Sequence, residues 1–210
     1  VDASERSSIS EEMKWHATHD MLTRLPNRTL LTDRFEQALH LAARHSTNLA
    51  VCMMDLDEFK PVNDQYGHAV GDELLIEVAS RLKKQLRQED TVARLGGDEF
   101  VILIGEVGHR AELSQALHRL KTAVSAPYFI DNNNIKISCS IGVAKYSDEK
   151  VDADTLLRQA DQAMYIAKQS GRNRVHWFDV DQDQKENGSQ KIIKEIEEAL
   201  TNDEFELHYQ

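Results

Sequence analysis

The chain has 210 residues, 40% of them hydrophobic, and a formal net charge of −11. That length suits one globular domain with short extensions. The acidic balance argues against a nucleic-acid-coating role, which needs a basic stripe, and the longest apolar runs, such as "LAVCMM", are too short to span a bilayer.

Residues 1–20 begin polar and become helix-like. "LPNR" then supplies Asn27 as a helix N-cap, and Leu30, Leu31, Phe35, Ala38, Leu39 and Ala42 follow at helical spacing, so 28–45 reads as an amphipathic helix. "NLAVCMMDLD" is a continuous apolar run ending in acids, which suits a buried central strand. "GDELLIEVASRLKKQLRQED", residues 71–90, reads as a helix with Leu74, Leu75, Val78, Leu82 and Leu86 on one face. "TVARL" and "EFVILIG" flank "GGD" and read as a β-hairpin. Residues 109–125 read as a helix and 128–146 as a second hairpin with an Asn-rich turn. Residues 154–171 read as a helix with Gly171 as its C-cap, and "RVHWF" as a last short strand. Polar "DVDQDQKENGSQ" reads as a linker, "KIIKEIEEAL" as an amphipathic helix and "EFELHYQ" as the onset of a strand. Helices alternating with hairpins imply an α/β (α+β) fold, with a largely antiparallel or mixed sheet flanked by helices. Cys52 and Cys139 sit in apolar strand-like runs and read as buried free thiols in a reducing, cytoplasmic compartment. The chain begins with Val and reads as a piece of something longer, with any membrane anchor outside it.

Two acidic sites border buried strands. Asp55 and Asp57 end the apolar run at 48–57, with side chains on the same side of it. Gly96, Gly97 and Asp98 form a turn, with Glu99 opening the next strand; glycine there permits φ > 0 and close approach of a ligand to the backbone. If the two strands are neighbours, Asp55 and Asp98 converge, and converging carboxylates at strand ends make a Mg²⁺ site shared with substrate phosphates. The plainer alternative is that turns and strand ends are solvated and acidic.

The motif "RLGGDEF" resembles the signature of GGDEF domains, the diguanylate cyclases. "HDMLTRLPNR" resembles that family's opening, "DLDEFKPVNDQYGHAVGDELL" its longest motif and "DQAMYIAKQSGRNRV" its closing helix. The blocks occur in the family's order and cover roughly residues 17–178. Arg24 stands where the family usually has Gly.

The resemblance implies a nucleotidyl-cyclase, palm-like fold that condenses two GTP into cyclic di-GMP and two pyrophosphates. Because the product is two-fold symmetric, it also implies a homodimer. It implies metal ligation by Asp55, Asp98 and the Leu56 carbonyl, with Mg²⁺ (or Mn²⁺) as the ion and Asp57 standing behind the ligands. Asp98 or Glu99 becomes the catalytic proton acceptor. Asn63 and Asp72 match the guanine-reading positions, and helix capping is their alternative role. Lys60, Lys168 and Arg172 match the triphosphate contacts, and His68 lies beside the substrate. Arg87 and Asp90 in "RQED" match an inhibitory site for cyclic di-GMP, with Arg119 as a further contact.

By the same resemblance, residues 1–20 are a signalling linker helix from an upstream sensor, 21–178 the GGDEF domain, 179–189 a polar linker, and 190–210 the truncated opening of a downstream EAL phosphodiesterase domain. The alternative function is a GTP-binding regulatory module controlling that EAL domain. A cyclic di-GMP receptor acting through Arg87 and Asp90, and a polymerase palm, are further readings; the charge disfavours the last, and no nucleic-acid partner is expected.

Overall fold

A computed structural model describes residue 13 and residues 15–146 and 151–179. Of the expected linker helix, residues 15–18 are helical. The polar linker beyond Asp179 and the EAL-like segment lie outside the described residues. The chain divides after Trp177, and the unit ending there carries all the elements below.

Strand β1 (Asn48–Asp57) is buried from Leu49 onward and takes the centre of a five-stranded sheet. Its apolar run does not alternate because both its faces are covered. On one side it pairs antiparallel with β3 (Glu99–Val107), which pairs antiparallel with β2 (Thr91–Gly96). On the other it pairs antiparallel with β6 (Ser138–Tyr146), which is parallel to the edge strand β7 (Val175–Trp177). The sheet is therefore mixed and mostly antiparallel.

Even-numbered residues of β1 (Ala50, Cys52, Met54, Leu56) share a core with Leu74, Val78 and Leu82 of α3 (His68–Gln85) and with Leu113, Leu117 and Leu120 of α4 (Arg110–Ser125). Each such side chain contributes about 1.5–3 kcal/mol on burial. The opposite face is covered by α1 (Arg28–His45), packed on β2, and by α5 (Ala153–Gln169), packed on β6 and β1. Gly142 of β6 allows the α5 contact: a Cβ there would fall on the backbone of Ala160 and Met164. Asp55 and Asp57 are odd-numbered, so they emerge on the α5 face.

Caps explain the helix starts. Asn27 Oδ1 accepts from the Leu30 N–H at 3.2 Å, as its sequence position predicts. Asp152 does the same for α5, accepting from the Thr155 N–H at 2.8 Å. Arg81 of α3 donates to the carbonyls of Ala123, Ala126 and Pro127 and stacks over Tyr128 at 3.6 Å, tying α3 to the end of α4. Cys52 and Cys139 are free and buried, with burial pushing both thiols up to about 12.

Three sequence expectations need correction, and one element was not anticipated. The hairpin at 128–146 is shorter: β4 (Tyr128–Ile130) and β5 (Asn133–Ile135) form a separate ribbon turning at Asp131 and Asn132, both at positive φ, while β6 belongs to the main sheet. The helix read over 71–90 begins at His68 and stops at Gln85, leaving Arg87–Asp90 in a turn. A short helix, α2 (Phe59–Tyr66), precedes it; with only Phe59 and Val62 buried and Pro61 in its first turn, it carries too little periodicity to be read. Ser170, not Gly171, is the C-cap of α5, with Gly171 following at φ +112°.

Candidate active site

The register of the sheet assembles the acidic end. Asp55 lies directly opposite Glu99 across the β1–β3 ladder, and the Leu56 N–H donates to the Asp98 carbonyl at 3.3 Å. Strands β1 and β3 are neighbours, so the two acidic sites meet. The β2–β3 turn needs its glycines: Gly96 has φ +147° and Gly97 φ +52°, and nothing stands within 4 Å of where a Cβ would be on either. The space over the turn is open to an incoming group.

Asp55 is buried, Asp98 half-buried and Glu99 exposed. Burial raises the Asp55 carboxyl to about 6; the Lys168 hydrogen bond opposes this, and the charges of Asp98 and Glu99 add to it. Lys168, in the last turn of α5, places Nζ 2.8 Å from Asp55 Oδ2. Lys168, which the resemblance assigns to the triphosphate, pairs here with the carboxylate at a strand end shared by three acids. Among the described residues no three His, Cys, Asp or Glu side chains form a ready-made metal cage. Oxygen donors alone, fewer than a full set, still fit a hard divalent ion that takes its remaining ligands from phosphates and water.

Asp57 is already committed. It accepts from Ser138 Oγ and Ser140 Oγ, each at 2.6 Å, and from the Asn173 N–H at 3.0 Å. Those bonds anchor the 171–173 loop, where Arg172 is exposed at φ +57°. Asp57 thus positions Arg172 relative to β1. Glu58, at φ +61°, turns the chain sharply into α2, whose N-terminus has no side-chain cap. Free N–H groups at such an end suit a phosphate. A cavity of about 670 Å³ beside this turn is lined by Asp57, Glu58, Tyr66, Ser125, Lys136 and Arg172.

Lys60 and Asn63 lie on α2, His68 and Asp72 on α3. Asn63 Oδ1 abuts Gly71, where a Cβ would fall on it, so residues 63 and 72 flank one helix contact. Neither caps a helix: the N-cap positions are Glu58 and Gly67.

A second cluster lies away from this end. Arg87, Asp90 and Arg119 line one cavity of about 180 Å³. Asp90 Oδ2 accepts from the Arg87 N–H at 3.0 Å, while Oδ1 is buried with no hydrogen-bond partner. Burial raises the Asp90 carboxyl above its ordinary value.

The family model for the diguanylate cyclase GGDEF domain matches residues 17–174. The chain belongs to the GGDEF domain family. It is 43% identical over 210 residues to the bifunctional diguanylate cyclase/cyclic di-GMP phosphodiesterase MucR of Pseudomonas aeruginosa, covering 100% of this chain and 30% of that protein. The chain thus spans less than a third of that relative's length. The solved GGDEF domain of TpbB (YfiN) from Pseudomonas aeruginosa is 40% identical, with TM-score 0.75, covering 80% of this chain and 97% of that one. The coiled coil and GGDEF domain of DgcB from Caulobacter crescentus, solved in complex with c-di-GMP, is 28% identical, with TM-score 0.76, covering 83% and 92%.

Two features of this GGDEF domain were not assigned roles from sequence. Arg24, standing where the family usually has Gly, adopts φ +59° with its guanidinium 5.1 Å from the Trp15 ring centroid; the turn requires positive φ, which explains the usual glycine. Arg94 of "RLGGDEF" donates to the Gly97 carbonyl through Nε at 3.0 Å and Nη2 at 2.7 Å, and to Asp20 Oδ1 through Nη1 at 2.9 Å. One guanidinium thereby ties the glycine turn to the segment ahead of α1. An arginine beside a glycine turn was the available signal, but its partner Asp20 is 74 residues away.

Proposed function

We propose that this GGDEF domain is a diguanylate cyclase, condensing two GTP into cyclic di-GMP with release of two pyrophosphates. The observation that carries the reading is the meeting of Asp55 with the 98–99 acids at the open glycine turn. Asp55, Asp98 and the Leu56 carbonyl would hold a divalent ion, Mg²⁺ or Mn²⁺. When bound, that ion supplies neutralisation of phosphate charge and polarisation of the α-phosphate. Asn63 and Asp72 read the guanine edge, leaving adenine with unpaired polar groups. Lys60, Lys168, Arg172 and the N-terminus of α2 take the triphosphate, and His68 flanks the nucleotide. Asp98 or Glu99 accepts the 3′-hydroxyl proton. Each 3′-oxygen forms a bond to the α-phosphorus of the other GTP as the bond to the pyrophosphate leaving group breaks.

Two protomers, each with one GTP, face each other for this reaction. Arg87, Asp90 and Arg119 form a product-inhibition site, where the unpartnered Asp90 oxygen accepts guanine N–H groups and the arginines meet phosphate. In the full protein an upstream sensor controls the domain and an EAL domain follows it. The boundaries for that arrangement are a linker helix at 1–20, the GGDEF domain at 21–178, a linker at 179–189 and the EAL opening at 190–210. Among the described residues no helix is long and apolar enough to cross a membrane, and we place the domain's reaction in the cytoplasm.

The test is incubation of the purified chain, alone and as a forced dimer, with GTP and Mg²⁺ beside an Asp98→Ala variant. Cyclic di-GMP from the wild type only supports the cyclase. GTP binding without product in both forms would replace it with a regulatory role toward the EAL domain.

A further inference from the structure

The Lys168–Asp55 contact carries more than an ion pair. Asp55 sits on a strand hydrogen-bonded on both sides, so its carboxylate is held in place. Around it lie Glu99, opposite in register, and Asp98, whose charges both oppose its ionisation. Lys168 is the cation that bonds it, at 2.8 Å. The backbone of Lys168 is also fixed: Ile166 and Ala167 are buried, and the Lys168 carbonyl accepts from the Gly171 N–H. Its side chain is not fixed in the same way. It is 32% exposed against 9% for Asp55, and a four-carbon stem lets the ammonium swing while the helix stays still.

We infer that Lys168 is an internal stand-in for the divalent cation: it neutralises Asp55 until a metal–nucleotide arrives, then gives up the carboxylate and takes the incoming phosphate charge. This rests on the reading of Asp55 as a metal ligand. A strand end with three acids and no counter-charge would bind divalent ions from the cytosol without substrate. A resident ammonium at Asp55 competes for the same oxygen and repels a dication electrostatically. Ion binding then becomes dependent on nucleotide, because only a nucleotide offers Lys168 a second anion. The same side chain thereby serves two sites in sequence: the carboxylate first, the phosphates afterwards.

The test is Mn²⁺ binding to the folded chain without nucleotide, followed by loss of the free-ion paramagnetic resonance signal, and repeated with a non-reacting GTP analogue. Lys168→Met should tighten Mn²⁺ binding without nucleotide roughly tenfold. Lys168→Arg should remain as weak as wild type, and Lys168→Met combined with Asp55→Asn should lose the gain. Lys168→Gln provides a second neutral variant should the methionine disturb α5, with folding followed by circular dichroism. If both neutral variants bind Mn²⁺ no better than wild type while Asp55→Asn still abolishes ion binding in the presence of the analogue, the stand-in role is overturned and the metal site survives. If Asp55→Asn changes ion binding in neither state, the metal assignment itself fails, and this inference with it.

Discussion

Replacing Asp55 by Asn should stabilise the folded domain while removing its metal-dependent synthesis. The carboxyl is raised to about 6 from an ordinary 3.8, with burial as the largest cause and the Lys168 hydrogen bond only partly offsetting it. At about 1.4 kcal/mol per unit, two units set a ceiling near 3 kcal/mol for the cost of the ionised form. The site opens to water on the Lys168 side, so screening reduces this to about 1–2 kcal/mol. For a domain of this size that is roughly 3–6 °C in Tm.

The sign follows from proton linkage. The folded pKa lies above the unfolded one, so the native state holds this proton more tightly. The Asp55 contribution is therefore most favourable below about pH 4 and declines as pH rises through about 6. Asn resembles the protonated acid, so the variant's advantage should be full near pH 7.5 and vanish near pH 4. Thermal unfolding of both proteins in chelator, at both pH values, measures it. A variant no more stable than wild type near pH 7.5, or equally advantaged near pH 4, would refute the reasoning.

Gly142→Ala should destabilise the domain by more than about 3 kcal/mol, since the new Cβ meets α5 backbone rather than a movable side chain; urea unfolding reads the loss. Arg94→Lys, which cannot serve Asp20 and Gly97 together, should lower kcat roughly tenfold with KM for GTP little changed, and should hasten amide exchange at 96–99. Arg87→Ala should leave synthesis intact and raise the inhibition constant for cyclic di-GMP at least about tenfold, measured as rate against added product. Asp57→Asn should weaken GTP binding, because the Asn173 N–H of the loop carrying Arg172 loses its charged acceptor and the two serines that hold that carboxylate lose theirs; calorimetric titration with GTP checks this.

Much of this could be read from the residues because local signals agreed. The apolar run ending at Asp57 suits a strand covered on both faces, and two glycines between apolar runs suit a hairpin turn; both elements form as read. Asn27 capped the helix its position announced. What escaped was either too short or too distant. Helix α2 has eight residues and two buried side chains, so it presents no periodicity. The 128–146 stretch has one turn signal at 131–132, but whether β6 pairs with β5 or with β1 depends on a partner nearly 90 residues earlier. The partners that hold Asp57 behind the ligands, Ser138, Ser140 and Asn173, lie 81 to 116 residues along the chain, beyond any local signal. The Lys168–Asp55 pair was not legible either, because it depends on the packing of α5 against β1.

The central claim is that the chemistry lies at the Asp55–Asp98 end of β1 and β3. A crystal grown with Mn²⁺ and a non-reacting GTP analogue, with anomalous scattering recorded for the manganese, tests it most directly. The account predicts a manganese peak in coordination with the Asp55 and Asp98 carboxylates, with the Lys168 ammonium moved onto phosphate. A peak placed elsewhere, such as in the cavity beside Glu58 and Arg172, with Lys168 still on Asp55, would contradict it.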